Sequence, residues 1–305
     1  MEKGIIISPI FYMGCKKKLI KKGLIDLFPK NIDTFIDVFG GSGIVSMNVE
    51  AQRYILNDID INLYNLYQYF GNNDADDIIM NINNLIKEYQ LEENDEVRFS
   101  YDTRSKLYDE IKNIKHKISY KNIRTAYNNN REISYLYTIL IYCFCHQMRF
   151  NSNNEFNMPC GNGTFTKDNI EWIKKSSIFF HNNNTLFFNQ NYKDLKIHKL
   201  ANNDLVYLDP PYLDTTATYN ENGGWKLSDE KDLQNMCEEL NNKNIKWAMS
   251  NVFDNKGKEN TQLIEWCGVN QWNIHYFDGH SYHGMVKGKG NTTEVLITNY
   301  KEEIL

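Results

Sequence analysis

The sequence predicts an α/β protein in which a doubly wound, mostly parallel sheet carries an inserted, mainly helical segment. Short apolar runs with strand character alternate with helical patterns, and several of these runs end in aspartate or glycine. Between residues 66 and 177 the composition changes to Asn-rich and Lys-rich helical stretches with few strand patterns. We therefore expect one domain from residues 1–65 and 178–305, interrupted by an insert over 66–177.

Two strand patterns close together predict the start of the sheet. TFIDVFGGSG over 34–43 indicates a strand that runs into a glycine turn, and RYILNDID over 53–60 indicates a second strand that ends in acid. Such a pair is typical of the start of a β-α-β unit. The remaining predicted strands cover residues 185–189, 204–208, 245–252 and 294–298.

A helix is predicted between the strands at 204–208 and 245–252. Ser228 is placed to cap it, because a serine side chain accepts hydrogen bonds from first-turn amides. The apolar residues that follow at i, i+3, i+4 and i+7 are Leu233, Met236, Cys237 and Leu240. This spacing predicts one buried helix face.

Composition indicates an intracellular protein, and we expect a cytoplasmic location. The chain has 305 residues, of which 41% are hydrophobic, which suffices for a large domain. No apolar run approaches the ~20 residues of a membrane helix, and the first residues do not resemble a secretory signal. The six cysteines show no CxxC spacing, which favours reduced thiols over a disulfide framework.

A zinc site is an alternative for two clusters, and we expect neither to bind metal. The C-x-C-H spacing in the set Cys143, Cys145, His146 and Cys160 matches no common zinc motif. Cysteines in the apolar run LIYCFC are more typical of a core. His280 and His283 lack a carboxylate at metal-ligand spacing.

Charge is unevenly distributed along the chain. The formal net charge of −5 taken alone disfavours a nucleic-acid partner, since binding phosphates requires clustered Lys and Arg. Residues 104–124, however, carry seven Lys and Arg against two acids. This locally basic stretch indicates either a solvated helix face or a surface for phosphates.

The glycine turn at the first strand end predicts a nucleoside site. Its G-G-x-G spacing lacks the G-x-G-x-x-G that cradles a pyrophosphate, so a ligand without phosphates is favoured over a nicotinamide cofactor. At the second strand end, Asp58 stands where this fold usually places a carboxylate on a ribose diol. The alternative for Asp58 is a helix N-cap.

The stretch NDLVYLDPPY over 203–212 predicts an acceptor site for an amino group. Proline after Asp209 has no backbone donor and holds the preceding residue extended, which leaves the Asp209 side chain and the Pro210 carbonyl as acceptors at a strand end. Tyr212 adds a flat face. An exocyclic amine on a flat ring describes adenine or cytosine, whereas the alternative is a proline-rich turn with a packed tyrosine.

Three motifs together resemble a known family. DPPY at 209–212, FGGSG from Phe39 and YMGCKKKL from Tyr12 are similar to motifs IV, I and X of Dam-type DNA adenine-N6 methyltransferases of the D12 class, group alpha. The likeness is greatest to the Dam enzymes of T-even bacteriophages and covers most of the chain. Further matching stretches are LNDI at 56–59, MRFN at 148–151, SNVFDNKGKENTQLIEW at 250–266 and NTTEVLITN at 291–299.

The resemblance implies a Rossmann-like methyltransferase sheet with an inserted target-recognition domain. It implies S-adenosyl-L-methionine as cofactor and double-stranded DNA as partner, with the methyl group transferred to a flipped adenine in GATC or a related site. It also implies a cognate restriction endonuclease as an optional partner, and a monomer or weak dimer on DNA. In MPCGNGTF, Asn162 and Gly163 stand where enzymes that read GATC usually carry an arginine.

The family motifs assign roles to single positions of this chain. The implied catalytic residues are Asp209, Pro210, Pro211 and Tyr212. The implied cofactor-binding residues are Tyr12, Lys16, Asp37, Phe39, Gly40, Gly41, Asp58, Ile59, Asn191, Tyr192, Asp209 and Tyr219. The implied DNA-binding residues are Phe144, Cys145, His146, Arg149, Asn151 and Asn220.

Two other classes of function remain open at this stage. An RNA or protein aminomethyltransferase would keep the cofactor motifs, but such enzymes typically carry Asn where Asp209 stands, and they lack this insert. A non-catalytic DNA-binding protein on the same scaffold is the second alternative. The presence of both Asp209 and Tyr212 disfavours it.

Overall fold

The structure is a computed structural model that describes residues 4–91, 103–182, 184–196, 199–213, 225–255, 257–277 and 292–301, with the backbone alone over 103–112. The chain divides into two compact units. The first comprises Met1–Ile5, Cys15–Tyr64 and Asn183–Leu305, and the second comprises Ile6–Gly14 and Asn65–Asn182. The first contains the sheet, and the second is mainly helical.

The first unit is built on a mixed sheet of eight strands within the described residues. The strands are β1 (Ile32–Asp37), β2 (Ala51–Asn57), β3 (Thr185–Phe188), β4 (Leu205–Leu208), β5 (Lys246–Asn255), β6 (Lys258–Glu259), β7 (Asn273–Phe277) and β8 (Thr292–Thr298). Their order across the sheet is β3-β2-β1-β4-β5-β8-β7, with β6 paired to the end of β5. Because β1 is central, its neighbours β2 and β4 end beside it.

The prediction of a mostly parallel sheet is confirmed. Strands β3, β2, β1, β4 and β5 pair in parallel, whereas β8 runs antiparallel between β5 and β7. All six predicted strands are present with small shifts at their ends. Strands β6 and β7 were not predicted.

The helices in chain order are α1 (Lys17–Lys21), α2 (Ile61–Asn72), α3 (Ala75–Tyr89), α4 (Thr103–Asn130), α5 (Ile133–Tyr142), α6 (Lys167–Phe180), α7 (Leu227–Asn242) and α8 (Thr261–Asn270). Short 3-10 helices lie at Ile25–Leu27, Ser46–Asn48, Phe144–His146 and Tyr192–Asp194. Among the described residues, no helix combines the length and the apolarity that a bilayer crossing needs.

Helix α7 has the predicted buried face but not the predicted cap. Leu233, Met236, Cys237 and Leu240 are all buried. Ser228, in contrast, is exposed and lies inside the first turn, so the prediction that it caps the helix is wrong. The N-cap is Lys226, whose backbone N–H donates to Asp229 Oδ2 at 3.1 Å. An acid in the first turn can thus close the helix start without a capping serine or threonine.

The core of the first unit lies against the centre of the sheet. All four residues of β4 are buried, as expected for a strand with parallel neighbours on both sides. Trp247 of β5 packs against Trp266 of α8, with ring centroids 6.0 Å apart. This buried centre fixes the strand ends, where polar residues begin.

The second unit packs around α5. Seven consecutive α5 residues, 136–142, are buried, so this helix is surrounded by protein. Two side chains of helix α4 donate hydrogen bonds to one backbone carbonyl in the segment after α5. The Tyr120 hydroxyl and Arg124 Nη1 donate to Met158 O at 2.9 and 2.8 Å.

Candidate active site

Three strands end together on the carboxyl edge of the parallel sheet. Asp37 at the end of β1 pairs with Leu56 of β2 and with Tyr207 of β4. The residues that follow β2 and β4 are Asp58 and Asp209. Parallel neighbours therefore place three carboxyl groups at one edge, which is where ligands bind in this architecture.

The glycine turn is held to the end of β2 by its backbone. Gly40 N–H donates to Asn57 O at 2.7 Å, and Gly41 N–H donates to Asp58 Oδ2 at 2.9 Å. Gly41 has φ 52°, a left-handed conformation that a glycine adopts at little cost. Gly40 and Gly41 thus present backbone without side chains beside the Asp58 carboxylate.

Asn57 is a residue that the sequence reasoning missed. It is 1% exposed, and its amide donates to Val38 O and Gln190 O at 2.9 and 3.0 Å. Its Oδ1 accepts from Gln190 N–H at 3.0 Å. This side chain therefore joins the ends of three strands, and LNDI contains no periodic signal that would have revealed it.

Asp58 does not cap helix α2. Its Oδ1 accepts from Asp60 N–H at 2.9 Å, and the helix start is closed by Asp60, whose Oδ1 accepts from Asn62 N–H at 2.8 Å. Asp58 is 7% exposed, and burial raises its pKa to about 6, against the lowering effect of the Asp60 and Gly41 amides. The helix-cap alternative therefore applies to Asp60.

Asp37 is a buried carboxyl with one oxygen in use. Its Oδ2 accepts from Ser46 Oγ at 2.8 Å, whereas Oδ1 has no hydrogen-bond partner among the described residues. Burial raises the pKa of Asp37 to about 7, and the Ser46 bond opposes this. A buried acceptor without a donor is costly, so Oδ1 indicates a place for a ligand donor.

Asp209 accepts hydrogen bonds from two other predicted site residues. Lys16 Nζ lies 2.6 Å from Oδ2, with side chains 5% and 19% exposed, and the Tyr212 hydroxyl donates to Oδ1 at 3.1 Å. Lys16 Nζ also lies 5.3 Å from the centre of the Tyr212 ring. Burial raises the pKa of Asp209, while Lys16 lowers it. Pro210 and Pro211 follow and supply no backbone N–H.

An aromatic cluster closes the same edge near β3. Phe39 of the glycine turn lies 5.5 Å from Tyr192, and Trp225 lies 5.8 Å from Phe39 and 5.7 Å from Tyr192, all between ring centroids. Asn191 Oδ1 accepts from Lys193 N–H at 3.1 Å and begins the 3-10 helix that contains Tyr192. Trp225 was not predicted from the sequence.

Ile59 and Tyr12 are the remaining predicted cofactor-binding residues that the structure describes. Ile59 is 67% exposed, and its backbone carbonyl accepts from Asn189 Nδ2 at 3.0 Å. Tyr12 belongs to the second unit. Tyr219 and Asn220 lie outside the described residues.

The predicted DNA-contacting residues that the structure describes lie in the second unit, in the segment that follows α5. Phe144 is 54% exposed, and Cys145 and His146 both adopt positive φ, at 54° and 51°. His146 Nδ1 lies 3.0 Å from Leu140 O, and its ring stacks on Phe11 at 4.4 Å. Two consecutive residues in this rare conformation indicate a local strain typical of functional segments.

Arg149 and Asn151 have partners within the hairpin that follows. Arg149 Nε donates to Asn157 Oδ1 at 2.9 Å. Asn151 Nδ2 donates to Glu155 Oε2 at 2.9 Å, and its Oδ1 accepts from the Asn153 and Glu155 amides. Asn151 thus shapes the turn. The bond of Arg149 to Asn157 uses Nε, so within the described part of the chain its two Nη groups retain donors for another acceptor.

The cysteine cluster has the geometry of a packed turn. Cys143 and Cys160 form an isolated antiparallel bridge, and both are free thiols. Burial raises the pKa of Cys143 to about 12. Within the part of the chain that the structure describes, no three His, Cys, Asp or Glu side chains are grouped to hold a metal ion.

Comparison with known proteins decides the family. The family model described as D12 class N6 adenine-specific DNA methyltransferase matches residues 12–272. The chain belongs to this family. The sequence prediction of a D12-class protein is therefore confirmed.

Three curated relatives of this D12-class chain are bacterial. It is 33% identical to "Modification methylase StsI" of Streptococcus sanguinis over 98% of this chain and 44% of the relative. It is 34% identical to "Type II methyltransferase M.FokI" of Planomicrobium okeanokoites over 97% and 43%. It is 27% identical to "DNA adenine methylase" of Serratia marcescens over 68% and 70%. The chain thus spans less than half the length of the first two relatives.

The residues at the sheet edge fit the cofactor of this family. D12-class methyltransferases use S-adenosylmethionine as methyl donor. Asp37 Oδ1 is a buried acceptor that has no donor among the described residues. An ammonium group requires such an acceptor. Asp58 offers a carboxylate beside a glycine turn, as a ribose diol requires. The donor and acceptor chemistry therefore agrees with an amino acid joined to a nucleoside.

Proposed function

We propose that this chain transfers a methyl group from S-adenosyl-L-methionine to N6 of an adenine flipped out of duplex DNA. The observation that supports this most is the contact set of Asp209 with Lys16 and Tyr212 at the edge that also carries Asp37 and Asp58. It supports the proposal because the Asp209 carboxyl, the Tyr212 ring and the Asp37 and Asp58 carboxyls lie at the ends of neighbouring strands.

In this proposal the cofactor is held by residues of three strand ends. Asp37 accepts from the ammonium group, and Asp58 accepts from the ribose hydroxyls. Phe39, Ile59 and Tyr192 pack against the adenine ring of the cofactor. When bound, the cofactor supplies a methyl group on a positively charged sulfur, which is already an activated donor. Tyr12, Lys16, Gly40, Gly41, Asn191 and Tyr219 complete the proposed set.

Asp209 has the capacity to bind the target amine in addition to its present partners. Each carboxylate oxygen accepts about two hydrogen bonds, and Lys16 and Tyr212 use one on each oxygen. Asp209 and the Pro210 carbonyl then accept from the N6 hydrogens and orient the nitrogen lone pair. These bonds strengthen as positive charge develops on N6, so they stabilise the transition state more than the ground state.

Lys16 keeps Asp209 in its charged form in this proposal. Burial raises the pKa of Asp209 and so favours the protonated acid, which accepts hydrogen bonds poorly. The ammonium group 2.6 Å away counteracts this. Tyr212 is proposed to stack on the flipped base, with Pro211 fixing the turn between the acceptor and the ring.

We propose that the insert of residues 66–177 recognises the DNA target. Lys115, Lys117 and Lys121 are exposed on α4, and Lys117 lies close enough to Cys160 to lower its pKa, although burial raises it overall. Phosphates are proposed to bind along this helix. Phe144, Cys145 and His146 enter the duplex, and Arg149, Asn151 and Asn220 contact bases or their neighbours.

Further proposals concern the biological setting. The relatives named as modification and type II methylases support a cognate restriction endonuclease as a partner. The proposal also includes a GATC or related target, a likeness to the T-even phage Dam enzymes and a monomer or weak dimer on DNA. It further includes no metal requirement and a cytoplasmic location. The chain spans under half the length of these two relatives. The proposed activity is therefore that of this chain and not of the whole relatives.

The test is a comparison of methyl acceptors. Purified protein is incubated with cofactor carrying a radiolabelled methyl group and with duplex DNA, RNA or a protein extract. We expect label in DNA adenine, and sequencing for N6-methyladenine then gives the target site. Label in RNA or in protein would support the aminomethyltransferase alternative. Specific DNA binding without label in any acceptor would support the non-catalytic alternative.

A further inference from the structure

Trp225 joins the aromatic cluster from the start of α7. Its indole contacts Phe39 edge-on, at an interplanar angle of 80°, and Tyr192 at 41°. Phe39 follows β1 and Tyr192 follows β3, so the three rings come from separate segments that meet at the carboxyl edge. Trp225 is partly exposed, which leaves part of the indole accessible. Such a ring offers a flat apolar wall at the site.

Glu230 holds this indole from the first turn of α7. Glu230 is 1% exposed, and its Oε2 accepts from Trp225 Nε1–H at 2.7 Å. An indole has a single donor, so this bond fixes both the position and the orientation of the ring. A buried carboxyl is costly for the fold, which indicates that the bond has a purpose beyond packing.

Asn251 of β5 lies close to the Glu230 carboxyl, but neither Glu230 Oε1 nor Asn251 Nδ2 has a hydrogen-bond partner among the described residues. Burial raises the pKa of Glu230, and both Trp225 and Asn251 lower it. Asn251 is 1% exposed, so the carboxyl is enclosed between helix and strand. Glu230 is therefore buried and bonded to the indole through Oε2, which fixes the direction of the indole N–H.

We propose that Glu230 is a positioning residue, which fixes Trp225 as a further wall of the site for the cofactor's adenine ring, beside Phe39, Ile59 and Tyr192. The inference rests on the proposed function, because it assigns the nucleoside to this edge. It predicts that Glu230 acts on cofactor affinity through Trp225 without contacting the reacting atoms. A flat ring held in advance binds a flat base at a smaller entropic cost.

The test measures binding of S-adenosylhomocysteine, the product form of the cofactor, by calorimetry. Glu230→Ala removes the acceptor, and we expect about tenfold weaker binding, the equivalent of one hydrogen bond. Glu230→Gln retains an acceptor oxygen, and we expect its Kd to stay within about twofold of wild type. Trp225→Phe keeps a ring but loses the donor, and we expect several-fold weaker binding.

The chain offers a matched control on the same helix. Trp266 Nε1–H donates to Glu238 Oε1 at 2.8 Å, so Glu238→Ala breaks an equivalent bond outside the cluster. We expect this variant to lose stability and to keep the wild-type Kd. If Glu230→Ala does not fold, the comparison of Trp225→Phe with Glu238→Ala decides the question. An unchanged Kd in a folded Glu230→Ala or in Trp225→Phe would overturn the proposal.

Two further measurements separate positioning from general stability. Binding of S-adenosylhomocysteine is expected to change the tryptophan fluorescence of the wild-type protein. The change is expected to be much smaller in Trp225→Phe, which retains four of the five tryptophans. In methyl-transfer assays, Glu230→Ala is expected to raise KM for the cofactor while kcat and KM for DNA stay unchanged. If wild-type protein does not bind S-adenosylhomocysteine at all, the proposed function fails. If wild type binds and the variants match it, only this inference fails.

Discussion

Lys16 Nζ lies 2.6 Å from Asp209 Oδ2, an ion pair that joins the N-terminal YMGCKKKL motif to the DPPY motif across 193 residues of chain. Both side chains are mostly buried, at 5% and 19% exposed. The second partner of Asp209, Tyr212, also belongs to the predicted site. The carboxyl therefore contacts two residues that the family resemblance assigned to the same site, and Lys16 lowers its pKa against the effect of burial.

Lys16→Met should shift the pH dependence of methyl transfer. Burial raises the pKa of Asp209 and Lys16 lowers it, so loss of the ammonium group raises that pKa further. Because the carboxylate is the form that accepts from the amine, activity is lost as the pH falls through this pKa. The acidic limb of the kcat profile should therefore move to higher pH. Lys16→Arg should keep it near wild type, and an unmoved limb in Lys16→Met would contradict the assigned role.

Asp58→Ala should weaken cofactor binding. A hydrogen bond to a charged group contributes about 1.5–3 kcal/mol, so the Kd for S-adenosylhomocysteine should rise about 10- to 150-fold. Asp60→Ala is the matched control, since Asp60 Oδ1 caps α2 through Asn62 N–H at 2.8 Å. That variant should lose about 1 kcal/mol of stability and keep its affinity. Equal affinities of the two variants in calorimetry would refute a ribose contact by Asp58.

Asp37→Asn should stabilise the ligand-free protein at alkaline pH. The pKa of Asp37 is raised from 3.8 to about 7, so between these values the folded protein binds more protons than the unfolded chain. Stability therefore falls as the pH rises through this window. At about 1.4 kcal/mol per pKa unit, the substitution should restore up to about 4 kcal/mol at pH 8.

Urea denaturation from pH 5 to pH 8 measures this difference, with Asp33→Asn on the same strand as control. Asp33 accepts from Gln52 near the surface and is not part of the site. Asp37→Asn should also lose most of its cofactor affinity, because the amide replaces an acceptor by a donor at the ammonium position. An identical decline of stability with pH in wild type and Asp37→Asn would disprove the buried-acid interpretation.

Removal of the exposed α4 lysines should lower the salt dependence of DNA binding. Each phosphate contact contributes about 0.9 to the slope of log K against log salt, so replacing Lys115, Lys117 and Lys121 by alanine should reduce the slope by about 2 to 3. The control replaces Lys87, Lys174 and Lys175, which are exposed on α3 and α6 of the same unit. If both triple variants change the slope equally, α4 has no special role in DNA binding.

Gly163→Ala should disrupt the second unit, which is proposed to bind DNA, and spare the proposed cofactor site. A Cβ at Gly163 would collide with the backbone carbonyl of Ile141 and would lie 2.9 Å from His146. Since backbone cannot yield as a side chain can, the 141–146 segment must shift. Gly268→Ala, where a Cβ meets nothing within 4 Å, is the control and should be slightly stabilising in its helix. Wild-type DNA affinity in Gly163→Ala would show that this segment is not part of the interface.

The central part of the fold was predictable because its signals are local. The strand-turn patterns at the ends of β1, β2 and β4 each combine a short apolar run with a breaker, and parallel pairing then brings these ends together. The DPPY stretch could be interpreted chemically because proline removes a donor wherever it stands. The fold class and the carboxyl groups at one edge of the sheet could be predicted from these local patterns.

Other features depend on contacts between distant segments and left no trace in the local sequence. Strand β8 pairs antiparallel with β5 through residues 37 or more positions apart, and a strand's direction is set by its neighbours and not by its pattern. The N-cap of α7 is Lys226, because the Asp229 carboxylate accepts from the Lys226 backbone N–H. The position of Ser228 in the sequence gives no indication of this bond. The Trp225–Glu230 bond spans five positions at a helix start and matches no periodic pattern.

The central claim is that Asp209 accepts from the N6 amine during methyl transfer. Its most direct test quantifies N6-methyladenine by mass spectrometry in duplex DNA treated with wild type, Asp209→Asn or the exposed control Asp232→Asn. The account predicts N6-methyladenine with wild type and Asp232→Asn, and a rate about 100- to 1000-fold lower with Asp209→Asn. Methyl transfer at the wild-type rate by a folded Asp209→Asn would contradict it.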